Sequence, residues 1–441
     1  MVWPGSMAMA VSVVRLRDPF ESLQRAIGLC EGFARLQNNH RVLLKPNIPF
    51  CFAMPPYGMV TTTSVLEALV RLLLEHGCTD ITIGEGTVEI LGSSTRRAYR
   101  WTRIDRLAKR YGVKLVDLNK GPFVSVDLGG VRVQISAAAF ETDFLINVPV
   151  LKTHSQTRVS LGFKNLKGFL SSTSRTKFHG TGRLNELICH LNEVIRTALT
   201  VIDGTYVLAT GPDTVLGTAS RRNLMVAGQD CFECDVVGAG AMGIDPFEVA
   251  YLRQYASRHG RSLGLETIQM EGDMDPMTFS QGVDWKPDVT KELLAPAHVS
   301  GLSVPYAGES LCSKCYASLG LSLIALISDN PNTDFGNAVI CCGKEVKPPT
   351  HARKVILYGD CAVKNHGSVG SAFAVRGCPP SLSQSLLVLW TALLDKPRML
   401  RTVPLRMAKL AAMRAGIYSD SLPKWQRYRS ADFERNHFSV A

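Results

Sequence analysis

Short apolar runs closed by proline, glycine or acidic residues alternate with helical periodicity through the first half of the chain. Residues 41–45 (RVLLK) end at Pro46 and predict a buried strand. Residues 63–76 (TSVLEALVRLLLEH) repeat at helical spacing, begin at Thr or Ser and stop at Gly77. A strand at 80–83 leads to Gly84-Glu85-Gly86, a basic amphipathic helix spans 104–111, and strands follow at 114–117 and 144–148, the latter closed by Pro149. A helix at 185–196, a strand at 199–202 ending at Asp203-Gly204, a strand at 224–228 and a small-residue helix at 235–242 continue the alternation. Strands separated by helices of this length predict an α/β fold with a parallel, Rossmann-like sheet.

A second unit is predicted after an irregular stretch. Residues 262–296, rich in Asp, Glu, Met and Pro, read as a linker or excursion. Strands at 298–304, 338–342 and 354–358, with helices from Cys312 to residue 327 and over 381–394, predict a small flavodoxin-like α/β domain at 297–395. The expected division is therefore 1–261, 262–296, 297–395 and a basic tail at 396–441.

Composition fits a folded globule, with 46% hydrophobic and 20% charged residues among 441. The apolar runs at 321–327 and 386–394 fall short of the roughly 20 residues a spanning helix needs, so no transmembrane segment is expected. Residues 1–14 lack the pattern of a signal peptide, and the alternation starts only at residue 10, which makes Met7 or Met9 a candidate start and a cytoplasmic location the expectation. The formal charge of +11 is concentrated in the tail, including Lys396, Arg398, Arg401, Arg406 and Lys409. Interleaved aromatics and a nucleic-acid motif are missing, so the cations read as a solvated surface and nucleic acid is not an expected partner.

Cysteine usage changes the picture. Twelve cysteines in a reducing compartment point to metal or redox chemistry, and half of them lie between Cys312 and Cys378. Cys312-Ser-Lys-Cys315 opens a helix, Gly359-Asp360-Cys361 follows an apolar strand, and Gly377-Cys378-Pro379-Pro380 precedes the last helix. A helix N-terminus favours thiolate charge, and glycines let backbone approach a bulky inorganic group. Four thiolates suit either an iron–sulfur cluster or a structural zinc, and reduced core cysteines are the plain alternative. Cys341-Cys342 and Cys231-Phe-Glu-Cys234 carry the same ambiguity between ligand and core.

The order of the three pieces resembles the proximal-cluster site of nickel–iron hydrogenase small subunits and the related subunit of respiratory complex I. That resemblance implies one 4Fe-4S cluster on Cys312, Cys315, Cys361 and Cys378.

The front region lacks Gly-x-Gly-x-x-Gly after a strand and a Walker A loop. It carries polar groups at strand ends instead, where open α/β sheets bind ligands. Lys45, Asn47, Lys152, Thr153, Asn165, Lys167 and Asp203 are candidate ligand-binding residues, with the lysines suited to a carboxylate or phosphate. His154, Lys164 and Glu85 are candidate catalytic groups. Asp230 and Asp235 read as caps. The stretches VLLKPN, INVPVLKTHSQTRVSLGFKNLKG and AGQDCFECDVVGAGAMGIDP resemble the family catalogued as domain of unknown function 362, whose members often carry an iron–sulfur region. The segment from His154 to Lys164 is also similar to nickel-pincer lactate racemases, with Gly162-Phe163 standing where those have Gly-Gly.

The expectation is an iron–sulfur oxidoreductase that couples its cluster to an anion in the front cleft. A redox partner protein is implied. Metallocofactor assembly or electron carriage without turnover, and a structural zinc protein, are the competing functions.

Overall fold

The computed structural model describes residues 10–51, 56–89, 93–211, 217–273, 282–367, 372–414 and 435–440. The expected start at Met7 or Met9 and much of the basic tail lie outside these residues. Numbered along the chain, the front strands are β1 (Val11–Arg15), β2 (Val42–Pro46), β3 (Ile81–Glu85), β4 (Lys114–Asp117), β5 (Phe123–Leu128), β6 (Val131–Ser136), β7 (Phe144–Val148), β8 (Val150–His154), β9 (Arg158–Val159), β10 (Leu199–Ala209), β11 (Thr218–Gly228) and β12 (Met270–Gly272). A separate sheet holds β13 (Ser300–Ser303), β14 (Asp334–Cys342), β15 (Lys354–Tyr358) and β16 (Phe373–Val375).

The large sheet runs β12-β1-β11-β10-β7-β2-β3-β4, with β8 and β9 attached at β10. Its five strands from β10 to β4 are parallel, while β11 pairs antiparallel with both β10 and β1. The chain lays β2, β3 and β4 in one direction, then returns to the other side of β2 with β7 and β10. That reversal makes a crevice beyond the carboxyl ends of β2 and β7, where doubly wound sheets bind ligands. The parallel strands are buried on both faces: helices Pro19–Leu29 and Thr63–Glu75 cover one side, and Leu184–Val194 and Cys231–Ala241 the other.

Three elements differ from the periodicity. The strand expected to stop at Asp203-Gly204 continues to Ala209, because a register shift between Gly204 and Tyr206 absorbs the irregularity without ending the pairing. The β5–β6 hairpin, turned at Gly129-Gly130, was signalled by two alternating runs that the parallel reading passes over. Within 262–296, Met270–Gly272 joins the sheet edge beside β1, so this stretch is not wholly irregular.

The second sheet is entirely parallel, in the order β13-β14-β15-β16. This is the flavodoxin-like order without its outer second strand. Helices Ser313–Asp329 and Leu382–Leu393 pack on one face, and the short helix Asp360–His366 on the other. The tail begins as helix Lys396–Arg414. Arg406 is not part of a solvated surface: it is fully buried, with its guanidinium 2.6 Å from Asp329. Residues 435–440 return to the front region, where His437 meets the Tyr206 hydroxyl at 2.9 Å. Among the described residues no helix is long and apolar enough to cross a membrane.

Candidate functional site

A cavity of about 120 Å³ opens at the crevice between β2 and β7. Of the sequence candidates, Asn47, Glu85, Lys152, His154, Lys164, Asn165 and Lys167 line it. Lys45, Thr153 and Asp203 do not. Asp203 is buried below, accepting from the Thr62 N–H (2.7 Å) and hydroxyl (2.9 Å) and from the Thr205 hydroxyl (2.6 Å). The Thr153 hydroxyl bonds the Leu208 carbonyl (3.0 Å). Both fix strands rather than face the cavity.

Lys45 and Glu85 form a buried ion pair at 2.8 Å, 0% and 3% exposed. The Glu85 carboxylate also accepts from the N–H groups of Ile48 (2.8 Å) and Gly86 (2.7 Å), so its lone pairs are largely committed. A β-carbon at Gly168 would sit 2.5 Å from the Lys45 side chain and 2.6 Å from Glu85; only glycine lets this turn close over the pair.

An amide chain orders the floor. Asn165 donates to the Asn147 side chain (2.8 Å) and the Lys45 carbonyl (3.1 Å), Asn47 donates to Asn165 (2.9 Å), and Lys152 donates to Asn47 (2.5 Å) and the Met59 carbonyl (3.0 Å). Lys164 stands on the short helix Gly162–Asn165. Asp235 caps that turn, accepting from the N–H groups of Gly162 (2.6 Å) and Phe163 (3.0 Å), and burial raises its carboxyl to about 7. Asp230 caps helix Cys231–Ala241. Cys231 and Cys234 lie in its buried wall.

Sequence reading missed Arg175, His179, Ser313 and Lys314, all of which line the cavity. Arg175 and His179 share a face of helix Ser172–Gly180, four residues apart, a spacing that marks them as neighbours. Arg175 donates to the Leu170 carbonyl (2.9 Å), the Gly86 carbonyl and Asn119. Lys167 lies 3.1 Å from His179 Nε2, and Lys314 donates to Thr176 (2.8 Å). Lys164, only 7% exposed, has no hydrogen-bond acceptor among the described residues.

The cavity is therefore cationic, and Glu85, the acid in its lining, is already engaged. Burial, then repulsion from Lys167 and Lys152, holds the Lys164 ammonium well below its usual range. Burial, then Lys164, Lys167, His179 and Lys152, keeps His154 neutral. His154 Nδ1 accepts from the Gln156 N–H (3.0 Å), which leaves the proton on Nε2, donated to the Ser313 hydroxyl at 2.8 Å. A bound anion would relieve this concentration of positive charge.

Lys167 is lowered to about 7 by burial and then by Arg175, with the charge of Cys312 opposing. An anion favours its ammonium form. Affinity for a fixed dianion such as oxalate is thus expected to fall as pH rises above about 7, by up to about tenfold per unit. At about pH 8, calorimetry in buffers of different ionisation enthalpy should show proton uptake on binding; a pH-independent affinity would contradict this. The same depressed value means the unfolded chain holds more protons between about 7 and 10.5, so this group makes stability rise with pH across that window.

Ser313 and Lys314 are the two residues inside Cys312-x-x-Cys315, so one wall of the cavity is the start of the cysteine site. Cys312 precedes helix Ser313–Asp329, Cys342 ends β14, Cys361 follows β15 and Cys378 follows β16. All sit at carboxyl ends of parallel strands or at the helix start beside them. A hydrogen bond with Cys315 and burial push the Cys312 thiol up, and Cys315 shares further hydrogen bonding with Cys342. Burial, then the charges of Cys378 and Cys312, raises Cys361. The loops are tied by Asp360 N–H to the Gly377 carbonyl (3.0 Å) and Gly377 N–H to the Asp360 carboxylate (2.8 Å). A β-carbon at Gly359, where φ is +88°, would lie 3.2 Å from the Cys315 sulfur.

Among the described residues no three or more His, Cys, Asp or Glu side chains are grouped to hold a single metal ion. A tetrahedral zinc site with Zn–S bonds of ~2.3 Å needs sulfurs ~3.8 Å apart, whereas a four-iron core spreads its ligands more widely. Cys312 and Cys315, Cys361, and Cys378 come from three separate turns, with Gly359 beside Cys315, and Cys361 and Cys378 are exposed.

Residues 42–240, from β2 to helix Cys231–Ala241, match the family described as Domain of unknown function (DUF362). A thylakoid-associated protein of Synechocystis sp. is 25% identical over 211 residues, which are 47% of this chain and 64% of that protein. The chain thus spans less than two thirds of that relative's length. The lactate racemase apoprotein of Thermoanaerobacterium thermosaccharolyticum aligns over 88% of this chain and 81% of its own, at 14% identity and a TM-score of 0.36.

Proposed function

We propose that this chain is an iron–sulfur oxidoreductase, with one 4Fe-4S cluster held by Cys312, Cys315, Cys361 and Cys378 beside a cavity that binds a small carboxylate or phosphate. The observation that carries this reading is the shared wall: Ser313 and Lys314 line the anion cavity and separate two of the cluster thiols.

Such a cluster supplies or accepts one electron at a time. The chain's own residues bind and orient the ligand. Lys164, without an acceptor among the described residues, meets its negative charge; Arg175 and Lys314 add to the field. Neutral His154 orients Ser313, whose hydroxyl proton is free to point at the ligand. Lys167, with its charge changing near neutral pH, is the group suited to hold or release a proton.

Anaerobic purification should give about four irons and four sulfides per chain, with a paramagnetic reduced state. Oxalate should then shift the cluster potential by about 59 mV for each tenfold difference in its affinity for the two redox states. Lys164→Ala should weaken oxalate binding by about 30-fold or more, because it removes one partner of a buried charge pair. His154→Ala should reduce the shift through loss of Ser313 positioning. Iron-free protein would sink the proposal, and a potential indifferent to oxalate would leave an electron carrier without a substrate site.

A further inference from the structure

The cysteine site has two unlike sides. Cys315 is buried and Cys312 half-buried against the anion cavity, whereas Cys361 and Cys378 are exposed. On the cluster reading, the side of Cys361 and Cys378 is the one open to an electron donor. The loops on that side carry exposed cations: Lys344 and Lys347 just beyond β14, Lys364 one turn after Cys361, and Arg376 just before Gly377-Cys378. None has an ion-pair partner among the described residues. Glu345 and Asp360 lie on the same loops, and Asp360 turns one oxygen inward to the Gly377 N–H. The charge of Lys344 reaches Cys361. Beside the cations lies an open groove lined by Leu357, Val363 and Ala374 together with Lys364, Arg376 and Asp360. An apolar floor with a charged rim is the anatomy of a protein interface.

We propose that this exposed edge, with Lys344, Lys347, Lys364 and Arg376 on its loops, docks a small acidic one-electron carrier protein. The proposal rests on the cluster reading for its redox step and on the surface itself for its binding step. In each encounter the carrier's reduced centre loses one electron and the cysteine-held cluster gains it, with no proton or group transferred. Charge complementarity would act chiefly on the association rate, and salt would screen it.

The test uses anaerobic holoprotein and a photoreduced plant-type 2Fe-2S ferredoxin as the acidic probe in stopped flow. The double variant Lys364→Glu/Arg376→Glu should slow the second-order reduction by about tenfold or more, and added salt should slow the wild type towards the variant. Arg353→Glu, at the opposite end of β15, should leave the rate unchanged, and reduction by dithionite should be the same in all three. If charge reversal unfolds the domain, Lys364→Ala and Arg376→Ala replace it, with a smaller slowing expected. Equal rates with ferredoxin across the variants would overturn the proposal. So would binding to phosphatidylglycerol vesicles that depends on these cations while ferredoxin reduction does not. Should the protein contain no iron, the oxidoreductase reading fails by itself; calorimetric titration with oxidised ferredoxin then decides the surface, and lack of heat there overturns it.

Discussion

Glu85→Ala is expected to destabilise the front region by ~3–5 kcal/mol, measured by denaturant unfolding, because it strands the Lys45 ammonium in the core. The pair lies at the carboxyl ends of β2 and β3, and Glu85 also holds the N–H groups of Ile48 and Gly86. Burial already lowers Lys45 from its usual range, with Glu85 as the opposing influence. Removing the carboxylate leaves, among the described residues, only the Pro46 carbonyl, at 2.7 Å, to receive the ammonium. Lys45→Met/Glu85→Leu should recover most of the loss, since a buried ion pair replaced by apolar groups of similar volume is often nearly neutral. This contrast separates structure from catalysis. A Glu85→Ala protein of unchanged stability would return Glu85 to the list of free bases facing the ligand; a large loss identifies it as the support beneath the cavity floor.

The outcome bears on what the sequence could disclose. Lys45, Asn47, Glu85, Lys152 and His154 were legible because each follows an apolar run, and parallel strands aim their carboxyl ends at one crevice. Which of them face the ligand was not legible. Lys45 and Glu85 turn towards each other, and Asp203 turns to Thr62 and Thr205, choices made by three-dimensional neighbours rather than by local pattern. Ser313 was hidden for the same reason: its partner His154 is 159 residues away, and no local signal joins them. Arg175 and His179 did carry one, their four-residue spacing, but on a polar helix without an apolar stripe. The extension of β10 past Gly204 shows the reverse error, in which glycine was read as punctuation where it sits in a bulge.

The largest effect on cofactor content is expected at the cysteines, and Cys342 provides the control. On the proposed cluster, Cys312→Ser, Cys361→Ser and Cys378→Ser should each reduce iron and sulfide to below about a tenth of the wild-type content, because an alkoxide oxygen is a poor substitute for a soft thiolate. Cys361 and Cys378 are exposed, so these two variants should fold normally, which circular dichroism can check. Cys342, buried at the end of β14, hydrogen-bonds Cys315 and so is the cysteine outside the proposed set that most directly tests it. Its S–H can donate to the Cys315 sulfur once that sulfur is a thiolate. A donor to a ligand sulfur favours the more negative, reduced state and raises the potential. Cys342→Ala should therefore keep its iron and titrate at a lower potential. Loss of iron in Cys342→Ala together with retention in Cys361→Ser would exchange the two in the proposed ligand set.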